Sequence, residues 1–364
     1  MQKINVCICG GGSQGHISAG VIGSNSNFSV NVLTRNPDKW SKNFKTIDLN
    51  GNEYRSTINI ITNNPDEIIP QCNIVLFCLP GYANRDVLMT IKNSLKPDCI
   101  VGSVFGGSGF FLEVFDVLGP EQKSFSLQRV PFTGRSLEYG KSALLKGYKS
   151  TLNVAVNNIE YPEKLTGILQ DMFNTPVQLL SHYLTVTLSN SNPILHPVRM
   201  FVLFKDWTPD TYYSSIPYMY DTDWDDETSE LWVECDNELR QIIEKIPING
   251  NEIPTVLEYY GCRNISELTV KIQSIEPFKN VKPHMIKTDK GYSLDIHHRY
   301  FTEDIPYGLV LIKSFGEVLR VPTPKTDMII AWAQRVMNKN FELNTKTIKS
   351  LLDNEKKIIK TNKF

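Results

Sequence analysis

The sequence predicts an α/β domain with a doubly wound, mostly parallel sheet, followed by an all-α helical domain. Three observations predict this fold class. The chain has 364 residues, roughly twice the ~150 residues of an average domain. In its first half, short apolar runs alternate with helical patterns, as in parallel sheets. Past about residue 185, amphipathic helical patterns replace this alternation. We therefore expect domains over residues 1–184 and 185–364.

Each element is predicted from a local pattern. In the first domain, apolar runs predict strands at 4–9, 29–34, 73–79 and 151–156, and a further strand beginning at Cys99. Helical patterns lie at 14–24 and 83–95, and in the second domain at 226–246, 326–338 and 344–361. Within 226–246, Leu231, Cys235 and Leu239 share one face, which predicts core packing.

Composition excludes several classes of protein. Lys and Arg number 38 and Asp and Glu 39, so the chain is not a globally basic nucleic-acid binder. Its longest apolar runs are far shorter than the roughly 18 residues of a membrane span, and residues 1–9 lack a signal-peptide pattern. The seven cysteines form no Cys-x-x-Cys motif, and the histidine spacing resembles no zinc site. We expect a cytoplasmic protein with reduced thiols, no catalytic metal, and no nucleic-acid or membrane partner.

A glycine-rich segment follows the first predicted strand. Residues 10–15 read Gly-Gly-Gly-Ser-Gln-Gly and match the G-x-G-x-x-G pattern of dinucleotide-binding Rossmann domains. There, Gly10 would allow the tight turn, Gly12 the approach of a pyrophosphate, and Gly15 the close packing of helix on strand. The pyrophosphate would lie at the positive end of the following helix. The alternative is a glycine-rich turn in an unrelated α/β protein.

The residues at the end of the second predicted strand indicate which nicotinamide cofactor is preferred. An NAD site usually has Asp or Glu there, whereas this chain reads Leu33-Thr34-Arg35-Asn36. Arg35 can pair with a 2′-phosphate and Thr34 can donate to it, so NADP(H) is favoured over NAD(H). An ordinary surface arginine is the alternative. Leu79, Pro80 and Gly81 end a later strand and are expected on the nicotinamide side. The predicted cofactor-binding residues are Gly10, Gly12, Ser13, Gln14, Gly15, Thr34, Arg35, Leu79, Pro80 and Gly81.

Two further segments, taken with the glycines, carry a family resemblance. Residues 192–197 read Asn-Pro-Ile-Leu-His-Pro, and residues 299–306 read Arg-Tyr-Phe-Thr-Glu-Asp-Ile-Pro. These segments are similar to the Asn-Pro-x-x-His-Pro and Arg-x-x-x-Glu-Asp-x-Pro motifs of the NAD/NADP octopine/nopaline (opine) dehydrogenase family. Tyr139-Gly140 and Gly147-Tyr148-Lys149 also match, and the resemblance covers about residues 4–338.

The resemblance implies a Rossmann domain, a helical substrate domain, and a reductive condensation of an amino acid or other amine with a 2-oxo acid. His196 would be the general acid/base and Asp304 would orient its ring. Arg299 would hold a substrate carboxylate, and Asn192 would line the substrate site. The alternatives are that Asp304 pairs locally with Arg299, that His196 is a structural hinge, and that Asn192 forms a turn or cap before Pro193. The candidate assembly is a homodimer.

Two other functions remain as alternatives. A 2- or 3-hydroxy-acid or ketopantoate-type dehydrogenase shares this architecture, but such enzymes typically use a lysine of the second domain, and no such pairing is evident here. A non-catalytic NADP-binding sensor is a third candidate. The acidic run within 218–227 is expected to be an exposed loop and helix start, with selection of a cationic amine as the alternative. His16 is expected to be structural.

Overall fold

The computed structural model describes residues 3–189 and 192–361, apart from the side chains of 356–361. By its internal contacts the chain divides into two compact units, Met1–Thr187 and Leu188–Phe364. No helix in these described ranges is both long and apolar enough to cross a membrane.

The first unit is built on one mixed sheet. Its strands are β1 (Ile4–Cys9), β2 (Phe28–Leu33), β3 (Asn43–Asp48), β4 (Glu53–Thr62), β5 (Ile74–Phe77), β6 (Ile100–Ser103), β7 (Ser124–Leu127), β8 (Phe132–Glu138), β9 (Ser142–Tyr148), β10 (Leu152–Asn157) and β11 (Val177–Leu179). Their order is β11-β10-β7-β6-β5-β1-β2-β4-β3-β9-β8. β1 lies between β2 and β5 and is parallel to both. The pairs β3–β4, β7–β10 and β8–β9 are antiparallel.

Helices cover the sheet. They are α1 (Ser13–Ser24), α2 (Gly81–Ile91), α3 (Phe110–Leu118), α4 (Pro162–Phe173) and α5 (Tyr183–Thr187). Alternate residues of β1 face opposite sides, as the two-residue period of a strand requires. Val6 and Ile8 pack into a core with Ile17 of α1, whereas Cys7 and Cys9 pack into a second core that includes Leu88 of α2. The doubly wound, mostly parallel sheet is therefore confirmed.

The sequence patterns located β1, β2, β5, β6 and β10 to within one or two residues, gave no bounds for β7 and β11, and missed β3, β4, β8 and β9. These four strands alternate buried and exposed residues and carry charged side chains on the open face. They lack the continuous apolar runs that mark strands buried on both faces. Together they extend the sheet beyond β2.

The second unit is predominantly helical. Its elements are α6 (Asn192–Phe204), α7 (Asp226–Ile243), α8 (Val256–Tyr260), α9 (Ile265–Ser274), a π-helical segment (Tyr300–Leu309), α10 (Val310–Leu319), α11 (Pro324–Met337) and α12 (Thr345–Thr361). A short hairpin of β12 (Met285–Thr288) and β13 (Gly291–Leu294), not expected from the sequence, adds two strands. Its turn requires Gly291, whose φ of +128° disfavours other residues.

The π-helical segment runs directly into α10. The N–H of Val310 donates to the carbonyl of Ile305, five residues earlier. Pro306 lies inside the segment; it has no N–H, and in an α-helix its ring would press against the carbonyl four residues before it. The wider turn relieves this clash.

The acidic run before α7 has a structural explanation. Asp225 caps α7 by accepting a hydrogen bond from the N–H of Thr228. Asp223 accepts from the N–H of Tyr218, and the Glu227 carboxylate pairs with Lys205. These contacts agree with the expected loop and helix start.

Candidate active site

The glycine turn after β1 has the geometry of a nucleotide-binding loop. Gly10 has a φ of +124°, and a Cβ there would lie 2.5 Å from the carbonyl oxygen of Cys78. A Cβ on Gly15 would collide with the carbonyl oxygen of Gly10, so the helix packs closely on the strand. A Cβ on Gly12, in contrast, would meet no atom within 4 Å from the described residues outside its own turn of chain. The protein's own packing therefore leaves open space above Gly12, where a pyrophosphate would approach.

The start of α1 offers backbone donors. Gly12 is the N-cap residue and no side chain caps the helix. The first intrahelical bond runs from the N–H of His16 to Gly12, so the preceding N–H groups have no intrahelical acceptor. The side chains of Ser13 and Gln14 are engaged elsewhere, since Ser13 Oγ accepts from the Ser136 N–H and Gln14 Nε2 donates to the Phe132 carbonyl. These two residues can thus serve a cofactor through their backbone.

His16 is buried and ties the helix to the β8–β9 turn. Its Nε2 accepts a hydrogen bond of 2.6 Å from the N–H of Gly140, and its Nδ1 lies 2.9 Å from the carbonyl of Gly12. A neutral ring with its proton on Nδ1 satisfies both bonds, and burial lowers the pKa of His16. The ring packs on Trp40 at 4.4 Å between centroids. These contacts agree with the structural role expected for it.

The end of β2 borders the glycine loop. Thr34 is buried, and its N–H donates to the carbonyl of Thr62. A Cβ on Gly11 would lie 3.5 Å from Thr34 Oγ1 and 2.5 Å from the hydroxyl of Tyr139, so both side chains flank the loop. Arg35 is exposed, and its guanidinium has no hydrogen-bond or ion-pair partner among the residues that the structure describes. Sequence reasoning noted Tyr139 in a motif but assigned it no place beside the glycines.

The third cofactor segment follows β5. A Cβ on Gly10 would lie 2.9 Å from Leu79 Cδ2, which places Leu79 beside the glycine turn. Pro80 is the N-cap of α2 and Gly81 its first residue. The predicted cofactor residues are therefore grouped at the carboxyl ends of β1, β2 and β5, where open α/β sheets bind ligands.

The second unit brings His196 and Asp304 together. His196 lies on α6 and Asp304 on the π-helical segment, 108 residues away. Nδ1 of His196 lies 2.8 Å from Oδ2 of Asp304, and the side chains are 10% and 4% exposed. With Nδ1 hydrogen-bonded to Asp304, Nε2 is the other ring nitrogen, left for proton exchange.

Aromatic rings surround this pair. The ring of Tyr300 lies over His196 with 4.2 Å between centroids and 37° between planes. Tyr300 also meets His298 in an edge-to-face contact, with 4.4 Å between centroids and 83° between planes. Burial is the main cause of the raised pKa of Tyr300 and of the lowered pKa of His298, so both are neutral near pH 7. Sequence reasoning missed Tyr300 because a lone tyrosine carries no pattern.

Arg299 and Asn192 lie at the ends of the two segments. Arg299 immediately precedes the π-helical segment, and its side chain is 55% exposed. Its Nε lies 3.7 Å from Glu303 Oε2, a loose pair that a substrate carboxylate can displace. Asn192 is exposed at the first turn of α6, the helix that carries His196. Asp304 is bonded to His196, which disfavours its local pairing with Arg299.

A second arginine was not identified from the sequence. Arg199 on α6 is fully buried and donates to the carbonyls of Tyr218, Met219 and Asp223 and to the hydroxyl of Thr228. Burial lowers its pKa to about 10. Its role is to hold the loop before α7 against α6.

As for metals, the described ranges contain no group of three or more His, Cys, Asp or Glu residues that could hold an ion.

Two family models match the chain. Residues 179–337 match the α-helical domain of NAD/NADP octopine/nopaline dehydrogenase, and residues 6–122 match ketopantoate reductase PanE/ApbA. The second match covers the glycine turn and the strands around it; the first covers both segments of the His–Asp pair.

Whole-chain relatives agree with the first model. The chain is 26% identical to opine dehydrogenase of Haliotis discus hannai, over 93% of this chain and 92% of that one. It is 27% identical to tauropine dehydrogenase of Arabella iricolor, over 92% of this chain and 91% of that one. Its fold matches that of octopine dehydrogenase with NADH and L-arginine at a TM-score of 0.84 and 23% identity, over 94% of this chain and 92% of that one. The chain is therefore similar, over nearly its whole length, to enzymes of the NAD/NADP octopine/nopaline dehydrogenase family, whose α-helical domain matches residues 179–337, and it is an NAD(P)-dependent oxidoreductase.

Proposed function

We propose that the chain catalyses the reductive condensation of a 2-oxo acid with an amino acid or another amine, using NADPH in preference to NADH. Cofactor binding is assigned to the domain over 1–184 and the His196 chemistry to the domain over 185–364. The observation that carries the proposal is the buried bond of 2.8 Å between His196 and Asp304, made by two segments that are distant in sequence. Such a pair is the arrangement required of an oriented acid/base.

Each of these residues would have a separate role in the reaction. Attack of the amine on the keto carbon and loss of water would give an imine, and a reduced nicotinamide held at the glycine turn of residues 10–15 would supply the hydride that reduces it. His196 would give a proton from Nε2 to the departing oxygen and take one back from the amine nitrogen. Asp304 would hold the tautomer and stabilise the imidazolium that forms. Arg299 would bind the oxo-acid carboxylate through its planar fork, and Asn192 would contact substrate from the start of α6.

Small-molecule partners are proposed from the relatives. Octopine dehydrogenase has been solved with L-arginine, with agmatine and with pyruvate, each together with NADH. These ligands support an amine and a 2-oxo acid as the substrate classes of this chain. The proposed preference for NADPH rests on two residues of this chain. Thr34 and the exposed Arg35 occupy the place where an NAD site usually has a carboxylate.

The test is a purified chain with NADPH or NADH, pyruvate, and a pool of amino acids and polyamines. We expect oxidation of the reduced cofactor only when both the oxo acid and an amine are present. Oxidation with the oxo acid alone would contradict the proposal and indicate a hydroxy-acid dehydrogenase, which the ketopantoate reductase match over 6–122 makes the second candidate. Tight NADPH binding with no oxidation by any oxo acid and amine would instead support a sensor.

A further inference from the structure

Three residues of the π-helical segment, spaced four apart, meet helix α6. Tyr300 lies over the ring of His196, Asp304 binds its Nδ1, and Gly308 lies against Pro193. We propose that this segment is a positioning device in which Asp304 fixes the edge of the His196 ring and Tyr300 fixes its plane. Tyr300 is thus a positioning residue for the reaction. This inference rests on the proposed function, because it assumes that His196 acts on a substrate.

The widened turn explains the spacing. An α-helix completes a turn in 3.6 residues, so residues four apart drift around its surface. A helix with bonds spanning five residues has a longer turn, and a repeat of four stays closer to one face. Gly308 is needed on that face, because a Cβ there would collide with the side chain of Pro193. The segment can therefore approach α6 closely enough for Tyr300 and Asp304 to contact one ring.

Two contacts constrain different motions of the imidazole. The hydrogen bond to Asp304 constrains the direction of Nδ1, but the ring can still tilt about that direction. Tyr300 opposes this tilt from a centroid distance of 4.2 Å. Nε2 is thereby held in one direction, which an acid/base needs because small misplacements cost large factors in rate.

Tyr300 has further aromatic neighbours. His298 meets its ring in an edge-to-face contact at 4.4 Å, and His284 stacks on His298 at 5.3 Å with 5° between planes. Nδ1 of His284 lies 2.9 Å from Oδ2 of Asp295. These contacts add to the packing that holds the Tyr300 ring in place. Burial raises the pKa of the Tyr300 hydroxyl, so a neutral ring rather than a phenolate faces the His–Asp pair.

The experiment compares Tyr300→Phe with Tyr300→Leu. Phenylalanine keeps the flat ring, so we expect kcat within about twofold of the unmodified chain. Leucine removes it, so kcat should fall by about tenfold or more while KM for each substrate changes by less than about threefold. If Tyr300→Phe loses as much kcat as Tyr300→Leu, the hydroxyl and not the ring is the functional part. If Tyr300→Leu keeps full kcat, the ring does not position His196. Either result overturns the proposal.

A second readout does not depend on turnover. The rate at which diethyl pyrocarbonate acylates His196, followed by mass spectrometry of its peptide, reports how well the ring is covered. We expect faster acylation in Tyr300→Leu, or in Tyr300→Met if the leucine variant does not fold, and an unchanged rate in Tyr300→Phe. Unchanged rates in all variants would contradict the proposal. An unmodified chain that condenses no oxo acid with any amine would refute the proposed function, while the acylation rates would still decide the contact.

Discussion

Nδ1 of His196 is committed to Asp304, so Nε2 is the ring nitrogen left for substrate. Replacing His196 by Gln keeps a side chain of similar reach but removes proton transfer at neutral pH. We predict that kcat falls by about 10²- to 10⁴-fold while the dissociation constant for NADPH stays the same. Steady-state kinetics and a fluorescence titration of the cofactor measure the two quantities.

The matched control is His297→Gln. His297 is exposed, and the contact described for it is a backbone hydrogen bond to Asp295. The kcat of the His297→Gln variant should therefore remain close to that of the unmodified chain. Equal losses in the two variants, or full turnover in His196→Gln, would show that His196 is not the acid/base.

Arg35 provides the second prediction at this scale. Its guanidinium is exposed and unpaired among the described residues, at the end of β2, where we propose that a 2′-phosphate binds. A charge-assisted hydrogen bond contributes about 1.5–3 kcal/mol, so Arg35→Ser should raise KM for NADPH by about 10- to 100-fold and leave that for NADH nearly unchanged. Arg55→Ser, at an arginine whose side chain is 81% exposed, is the control and should change neither. An equal rise in KM for both cofactors would mean that Arg35 does not bind the 2′-phosphate.

Single residues were predictable where they stand in local motifs. The glycines of 10–15 carry a spacing, and His196 and Asp304 each lie in a segment with several matching neighbours. Tyr300 and Arg199 carry no such pattern, since one acts by packing on a ring and the other by bonding to backbone carbonyls. Both roles depend on which elements the fold brings together, and that information is not local in the sequence.

At the scale of elements, Arg199 joins α6 to the loop before α7. Arg199→Met would leave two buried acceptors, the Met219 carbonyl and the Thr228 hydroxyl, without this donor, at a cost of about 1–3 kcal/mol each, and would remove two part-buried bonds as well. We predict that the free energy of unfolding falls by about 3 kcal/mol or more, with a lower urea midpoint and an unchanged slope. Arg263→Met, at an arginine whose side chain is 87% exposed, should change it by less than about 1 kcal/mol. Similar midpoints for the two variants would contradict this account of Arg199.

The elements themselves were predictable to different degrees. Apolar runs buried on both faces, such as β1 and β5, were located to within one or two residues. Strands β3, β4, β8 and β9 were missed because half of their residues face outward. The turn between β8 and β9 nevertheless matters to the site, because it places Tyr139 and Gly140 against the glycine loop and His16.

At the scale of the whole molecule, each unit contributes a separate part of the chemistry. The first carries a glycine turn with open space above Gly12, and the second carries the buried His–Asp pair. The similarity to opine and tauropine dehydrogenases extends over more than nine-tenths of the chain and so spans both units. The acidic run before α7 caps that helix through Asp225 and accepts a hydrogen bond from neighbouring backbone through Asp223.

The most direct test of the central claim follows the hydride into the product. NADPH deuterated at both C4 positions of the nicotinamide would be incubated with pyruvate and the amine that supports oxidation, and the products weighed by mass spectrometry. We predict a secondary amine with the mass of pyruvic acid plus the amine, less one water, plus one deuterium and one hydrogen. Deuterium found in lactate, with no amine incorporated, would contradict the account.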